Sequence, residues 1–205
     1  DHGTLARKIL RRVKQMNETH GLGPVRELQI DCDWTTSTRQ PFFRFMELLK
    51  KDANAEGIAL SSTIRLHQLA APPPPADRGV LMVYNTGDLR DFDKRYPILD
   101  PEDVLPYLKH LDGFDLPLAS AYPIYRWDIV FRDKKFIDIQ HYPGEMPVLP
   151  SDTIVARQTP PEHILRCRRE IEKRRPDCAS EIILFDLNNF NIQRYDSETF
   201  EKFYN

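Results

Sequence analysis

The sequence predicts an α/β protein of the (β/α)8, TIM-barrel-like type, and three observations lead to this class. Segments with helical spacing of apolar residues alternate with segments of strand character. The best strands, such as residues 80–84, are near-continuous apolar runs, which are typical of a parallel sheet buried on both faces. No Gly-rich phosphate loop follows a strand, so an open nucleotide-binding sheet is disfavoured, and polar residues gather instead at strand carboxyl ends, as in barrels.

The first half of the chain gives four elements. Apolar residues at helical spacing, beginning with Leu5 and Ile9, predict a helix over the first twenty residues, which Gly21 ends. A strand follows at 25–34. A second helix opens at Pro41, a position that favours a helix start, and a strand runs from Gly57 through Ile64.

The second half continues the alternation. After the prolines of 72–75 come a strand at 79–85, a helix that Asp100 and Pro101 start, and a strand at 116–121. A turn dipeptide between two β-rich runs predicts an inserted β-hairpin near 126–139. The remaining elements are a weak strand at 151–156, a helix at 161–174, a strong strand at 181–187 and a short helix at 197–204.

Composition limits the class of protein and of partner. The 205 residues are 40% hydrophobic and 29% charged, which predicts one globular domain over 1–205. A net charge of −2 argues against a nucleic-acid partner, and no apolar run has the length of a transmembrane helix. Cys32, Cys167 and Cys178 form neither a disulfide framework nor a zinc site, although pairing of Cys167 with Cys178 stays open.

Asp31 and Asp33 are the central candidate site residues. Alternation along the strand places both on one face with Gln29, at the carboxyl end of a strand expected to be buried. Two close carboxylates perturb each other and suit acid/base catalysis, so both are candidate catalytic residues. The alternative is that one of them caps a helix or braces a loop.

Further polar and aromatic residues end other predicted strands and form a candidate substrate-binding set. Arg65 shares the polar face of its strand and is placed to neutralise the aspartates or to hold an anionic group. The remaining members of the set are Tyr84, Asn85, Asp186, and Tyr125 with Trp127, whose rings are expected to be exposed and to offer stacking surfaces for a sugar. A magnesium or calcium ion held by Asp31, Asp33 and Asp186 is a third alternative, but no acidic loop motif supports it, so we predict neither a metal nor a cofactor.

These residues resemble a known family. Asp31-Cys32-Asp33-Trp34 resembles the strand-four motif of family-18 glycoside hydrolases, the chitinase-like barrels, and residues 82–85 resemble that family's strand-six Met-x-Tyr-Asp. Residues 60–63, 121–125 and 182–186 fall where strands five, seven and eight would lie. The chain is also similar to bacterial barrel proteins with Asp-x-Asp-Trp strands, which are often exported lipoproteins.

The resemblance implies a fold and a function. It covers about residues 25–190 and implies only the carboxyl-terminal part of a barrel, about strands four to eight, preceded in a longer protein by a missing segment. It implies a carbohydrate-active, glycoside-hydrolase-like protein with a carbohydrate or other small polar ligand, and an extracytoplasmic location, periplasmic or lipid-anchored. In the family, the last aspartate of the motif and the tyrosine hold the substrate's acetamido group, and these roles correspond to Asp33 and Tyr84.

Three departures from the family pattern open an alternative. Thr35 stands where the family has its general acid Glu, Leu28 replaces its first Asp, and Asn85 replaces its strand-six Asp. Without the Glu, the family mechanism lacks its proton donor. The sequence therefore leaves open a glycoside hydrolase that uses another acid and a non-catalytic glycan-binding or scaffold barrel.

Overall fold

The computed structural model describes residues 1–142 and 144–205. The helices are α1 (His2–Thr19), α2 (Arg39–Asn54), α3 (Pro101–Val104), α4 (Pro161–Arg174), α5 (Asn189–Ile192) and α6 (Ser197–Tyr204). The strands are β1 (Glu27–Ile30), β2 (Ala59–Arg65), β3 (Arg78–Met82), β4 (Leu118–Pro123), β5 (Arg126–Arg132), β6 (Lys135–Gln140), β7 (Asp152–Gln158) and β8 (Ile182–Phe185). Three short 3₁₀ helices lie at Leu66–Ala70, Leu105–His110 and Pro176–Ala179. None of the helices in these two ranges is long and apolar enough to cross a membrane.

The strands form two sheets. The five-stranded sheet has the order β1-β2-β3-β4-β8, and its outer pairs, β1–β2 and β4–β8, are parallel. The other sheet is antiparallel with the order β6-β5-β7. Its β5–β6 hairpin confirms the predicted insertion, and its turn residues Asp133 and Lys134 have φ angles of 48° and 61°. The predicted weak strand pairs with β5 as β7.

By contact density the chain divides into two compact units. The first unit comprises residues 1–81 and 113–119, and the second comprises residues 82–112 and 120–205. The division passes through β3 and β4. The prediction of a single domain over 1–205 stays a prediction.

The core of the first unit lies under α2 and β2. The buried face of α2 presents Phe42, Phe45, Met46 and Leu49, as the helical spacing predicts. On β3, a Cβ atom at Gly79 would lie 2.8–3.0 Å from side-chain carbons of three aliphatic neighbours, so only glycine fits there. Asp77 accepts hydrogen bonds from the Leu60 backbone N–H at 2.8 Å and pairs with Lys50 at 3.0 Å.

In the second unit, the buried side chain of Arg157 on β7 holds the loop between β3 and α3. Its guanidinium donates to the carbonyl oxygens of Phe92 at 2.7 Å, Asp91 at 3.2 Å and Arg95 at 3.5 Å. Burial lowers the pKa of Arg157, while the charge of Asp91 opposes that shift. Arg157 thus ties the loop to the antiparallel sheet, in addition to the edge-on packing of Phe92 against Phe131 at 5.1 Å.

Three details differ from the expectations. Helix α3 is a single turn followed by 3₁₀ structure, because Pro106 has no backbone N–H for an α-helical hydrogen bond. Cys167 and Cys178 are buried free thiols, so they do not pair. Strand β1 was expected to be buried, which is wrong: it is an edge strand of its sheet, with alternating exposed and half-buried residues.

Candidate functional site

Asp31, Asp33, Thr63 and Arg65 form one polar group in the first unit, which we call the carboxylate cluster. The parallel register pairs Ile30 with Ser62, so the residues that follow β1 lie beside the end of β2. The Thr63 hydroxyl donates to Asp31 Oδ1 at 2.7 Å. Arg65 pairs with both carboxylates, through Nη2 to Asp31 Oδ1 at 3.5 Å and through Nε to Asp33 Oδ1.

The carboxylate cluster faces solvent. The side chains of Asp31 and Asp33 are 61% and 68% exposed, so the expected burial of the two carboxylates is wrong. The physical reason is that, among the described residues, β1 pairs with β2 alone, which leaves the strand and its continuation open to water. One arginine against two aspartates leaves an accessible negative charge, and the cost of burying a carboxylate pair does not arise.

The negative charge of the two aspartates affects the pKa of the Cys32 thiol, which lies between them in the sequence. Burial raises the pKa of its thiol first, and the negative charges of Asp33 and Asp31 raise it further. The thiol is therefore a poor nucleophile at neutral pH, since the thiolate is the reactive form. Trp34, two residues further along the chain, is only 4% exposed and packs edge-on against Phe43 at 5.4 Å.

An aromatic cluster of Tyr84, Tyr125, Trp127 and Phe185 lies in the second unit. Tyr84 stacks on Phe185 with 5.3 Å between ring centroids and 7° between planes. Tyr125 lies 4.6 Å from Trp127 and donates its hydroxyl hydrogen to Asn85 Oδ1 at 2.7 Å. Asn85 itself has a φ of 53°, a conformation that asparagine tolerates better than most residues.

Burial decides which of these rings can contact a ligand. Tyr84 is 8% exposed and Tyr125 only 3%, so the expectation that Tyr125 is an exposed stacking surface is wrong. The ring of Tyr125 is covered because it packs against three aromatic neighbours, Tyr84, Trp127 and Phe185. Trp127 is half-buried and Phe185 is 45% exposed, and these two rings offer the open surface of the cluster.

Asp186 serves the local structure of the segment after β8. Its carboxylate accepts hydrogen bonds from Asn188 Nδ2 at 3.1 and 3.2 Å and from Asn191 Nδ2. Asn188 in turn caps α5 by accepting the Asn191 backbone N–H at 2.9 Å. Among residues 1–142 and 144–205, no group of three or more His, Cys, Asp or Glu side chains is arranged to hold a metal ion.

The structure therefore brings the predicted site residues together in two groups. Asp31, Asp33 and Arg65 meet in the first unit, whereas Asn85, Tyr125 and Trp127 meet in the second with Tyr84. Sequence reasoning passed over Phe185 because it ends an apolar strand and reads as core. Its place directly before Asp186, at the strand's carboxyl end, is the signal that could have found it.

Comparison with solved structures identifies the fold. The chain is similar to a chitinase from Chromobacterium violaceum, with a TM-score of 0.58 at 12% identity over 92% of this chain and 67% of that chain. It is similar to the spore cortex-lytic enzyme SleL of Bacillus cereus, with a TM-score of 0.57 at 14% identity over 90% of this chain and 50% of the other. For the family-18 chitinase ChiB of Flavobacterium johnsoniae the TM-score is 0.56 at 12% identity, over 88% of this chain and 59% of the other.

The chain thus has a partial TIM-barrel-like fold of the family-18 chitinase type, as the sequence resemblance implied. It spans half to about three-fifths of the length of SleL and ChiB. No protein-family model matches the sequence, and comparison with curated proteins gives no match either.

Proposed function

We propose that this protein binds carbohydrate through the carboxylate cluster, and that it does so without the hydrolytic mechanism of the family-18 enzymes. The observation that carries the proposal is the double pairing of Arg65 with Asp31 and Asp33 at an exposed strand end. Charged acceptors and donors held side by side suit the hydroxyl and amide groups of a saccharide, which both donate and accept hydrogen bonds.

The fold supports a saccharide as the ligand. The similar structures include two chitinases and a spore cortex-lytic enzyme. Barrels of this kind build their sites at the carboxyl ends of the strands, where Asp31 and Asp33 follow β1 and Arg65 ends β2. Chito-oligosaccharides are therefore the first probes to use.

The lack of a proton donor argues against the family mechanism. Thr35 occupies the position of the general acid, and its hydroxyl lies 3.0 Å from Ser37 Oγ and 3.2 Å from Thr38 Oγ1 in a local turn. A hydroxyl cannot replace a carboxylic acid in protonating a leaving group. Asp31 and Asp33, since both pair with a guanidinium, act in this proposal as hydrogen-bond acceptors.

Hydrolysis by another route is the second candidate, and the presence of two solvent-exposed carboxylates in one cluster favours it. Retaining and inverting glycosidases both need two carboxyl groups, one of which donates a proton. In this candidate, Asp31 or Asp33 takes that role. Asp186 is the less suitable acid, because two asparagine side chains already donate to its carboxylate.

Titration calorimetry with chito-oligosaccharides of two to six sugars tests the proposal. Asp31→Asn and Asp33→Asn are each expected to weaken binding on the order of tenfold to a hundredfold, the effect of losing a hydrogen bond to a charged group. Glu47→Gln, at an exposed position on α2, is the matched control and should bind as the wild type does. Equal binding by all four proteins would refute the proposal.

A product assay by mass spectrometry on the same samples separates the two candidates. The binding proposal expects no cleavage by the wild type over a day of incubation. Cleavage that disappears in Asp31→Asn or Asp33→Asn would establish the hydrolase instead. An extracytoplasmic location and a preceding segment of the same protein remain proposals that rest on the family resemblance.

A further inference from the structure

A pocket of about 350 Å³ lies in the second unit, between the β5–β6 hairpin and the segment that holds α5. Its walls are formed by six residues of contrasting chemistry: Arg126, Asp128, His141, Phe190, Gln193 and Arg194. The pocket has neither Asp31 nor Asp33 in its wall, so it is distinct from the carboxylate cluster. Its volume suits a ligand of one or two sugar rings.

The charge in the pocket is positive. Arg126 and Asp128 neutralise each other, because Nε and Nη2 of the arginine both donate to Asp128 Oδ1, at 2.9 and 2.7 Å. Within residues 1–142 and 144–205, no carboxylate lies within 4.0 Å of the Arg194 guanidinium, whose Nε donates to Asn191 Oδ1 at 3.2 Å. The lining has two arginines and one carboxylate, so it carries one positive charge in excess.

The surroundings of Arg194 make an anionic ligand favourable. Burial lowers the pKa of Arg194, and repulsion by the positive charge of Arg126 lowers it further, while Tyr195 and the negative charge of Asp128 act in the opposite direction. A negative group between the two arginines would remove that repulsion and accept hydrogen bonds from both guanidiniums. The Glu145 carboxylate, which pairs with the His141 ring at 3.1 Å, is not among the residues that line the pocket.

The remaining wall is suited to a sugar ring. Phe190, on α5, is 64% exposed. An exposed aromatic ring offers an apolar surface to the C–H face of a pyranose. Gln193 adds an amide that can both donate to and accept from hydroxyl groups.

We propose that this pocket binds an acidic saccharide, with the sugar's carboxylate on Arg194 and Arg126 and its ring face on Phe190. The proposal deepens the carbohydrate-binding function by naming a second site and a charged class of saccharide. It rests on that function only in assuming a carbohydrate ligand. It does not need the carboxylate cluster to bind.

Heteronuclear NMR titration of the whole chain with glucuronate, glucose and inorganic phosphate tests the proposal. Glucuronate should shift amide signals of residues 190–194, and it should bind on the order of tenfold more tightly than glucose, because the charged contact is absent in glucose. Arg194→Gln should remove that preference. Arg169→Gln, an exposed arginine of α4, is the matched control and should keep it.

Further variants separate the possible results. Phe190→Ala should weaken glucuronate but leave phosphate unchanged, whereas equal binding of phosphate and glucuronate with no effect of Phe190→Ala would overturn the saccharide assignment. Asp33→Asn should leave glucuronate binding intact, even if it abolishes chito-oligosaccharide binding. Loss of glucuronate binding in Asp33→Asn, or an unchanged preference in a folded Arg194→Gln protein, would overturn the second site.

Discussion

Replacement of Arg157 by methionine should destabilise the second unit, because one buried guanidinium holds three carbonyl groups of the loop before α3. Arg157 is only 5% exposed, and methionine fills a similar length of space without a donor. The contacts to Phe92 and Asp91 have good hydrogen-bond distances, and the contact to Arg95 at 3.5 Å is weak. The variant loses two effective charged hydrogen bonds.

The size of the effect follows from opposing contributions. Two hydrogen bonds from a charged donor contribute about 3–6 kcal/mol. Against this, the variant no longer buries a guanidinium, and it removes the Nε atom, which is buried without a partner among the described residues. We expect a net loss of about 2–4 kcal/mol in the free energy of unfolding, in the range seen when a buried charged contact is broken from one side.

Urea denaturation with hydrogen exchange measures this prediction. The midpoint should fall, and the amides of residues 91–96 should lose protection more than those of α2, which lies in the first unit. Arg169→Met, at an exposed position, should change the free energy by no more than about 0.5 kcal/mol. A loss below about 1 kcal/mol in Arg157→Met, or unchanged protection of the loop, would contradict the role assigned to the side chain.

Two further predictions concern the first unit. Gly79→Ala should destabilise the protein by about 1–3 kcal/mol, because a Cβ atom there meets aliphatic side-chain carbons at 2.8–3.0 Å. Gly113→Ala is the control and should be near neutral, since a Cβ atom at Gly113 has nothing within 4 Å. Equal denaturation midpoints for the two variants would refute the packing argument. Asp33→Asn should speed the reaction of Cys32 with iodoacetamide at about pH 8, because loss of the negative charge lowers the raised thiol pKa and increases the thiolate fraction. An unchanged rate would contradict the contribution assigned to the charge of Asp33.

The sequence pattern predicted the helices and the turn that depend on residues close together in the chain. Helical spacing located α1 and α2, and the dipeptide Asp133-Lys134 located the turn of the hairpin, where both residues adopt positive φ. The sequence also indicated that Arg65 would lie near Asp31 and Asp33, because consecutive parallel strands bring their carboxyl ends together.

Properties that depend on residues distant in the sequence could not be predicted from local patterns. Whether β1 is central or at an edge depends on the order of all five strands. The apolar face of Leu28 and Ile30 is compatible with either position. Tyr125 looks like an exposed ring until its packing partners are known. The contacts of Arg157 join residues more than sixty positions apart, and no local sequence pattern predicts them.

The edge position of β1 also affects how stably the carboxylate cluster keeps its arrangement. Asp31 and Asp33 extend from a four-residue strand whose ladder runs to β2. Where β2 is the one neighbour of β1, this short strand opens locally at a lower free energy than the sheet interior, and Asp31 and Asp33 separate from Thr63 and Arg65 whenever β1 frays. A preceding strand, of the kind that the family resemblance implies, would oppose this opening. A ligand that contacts Asp33 and Arg65 together closes that opening, and its affinity includes the free energy of holding β1 in place.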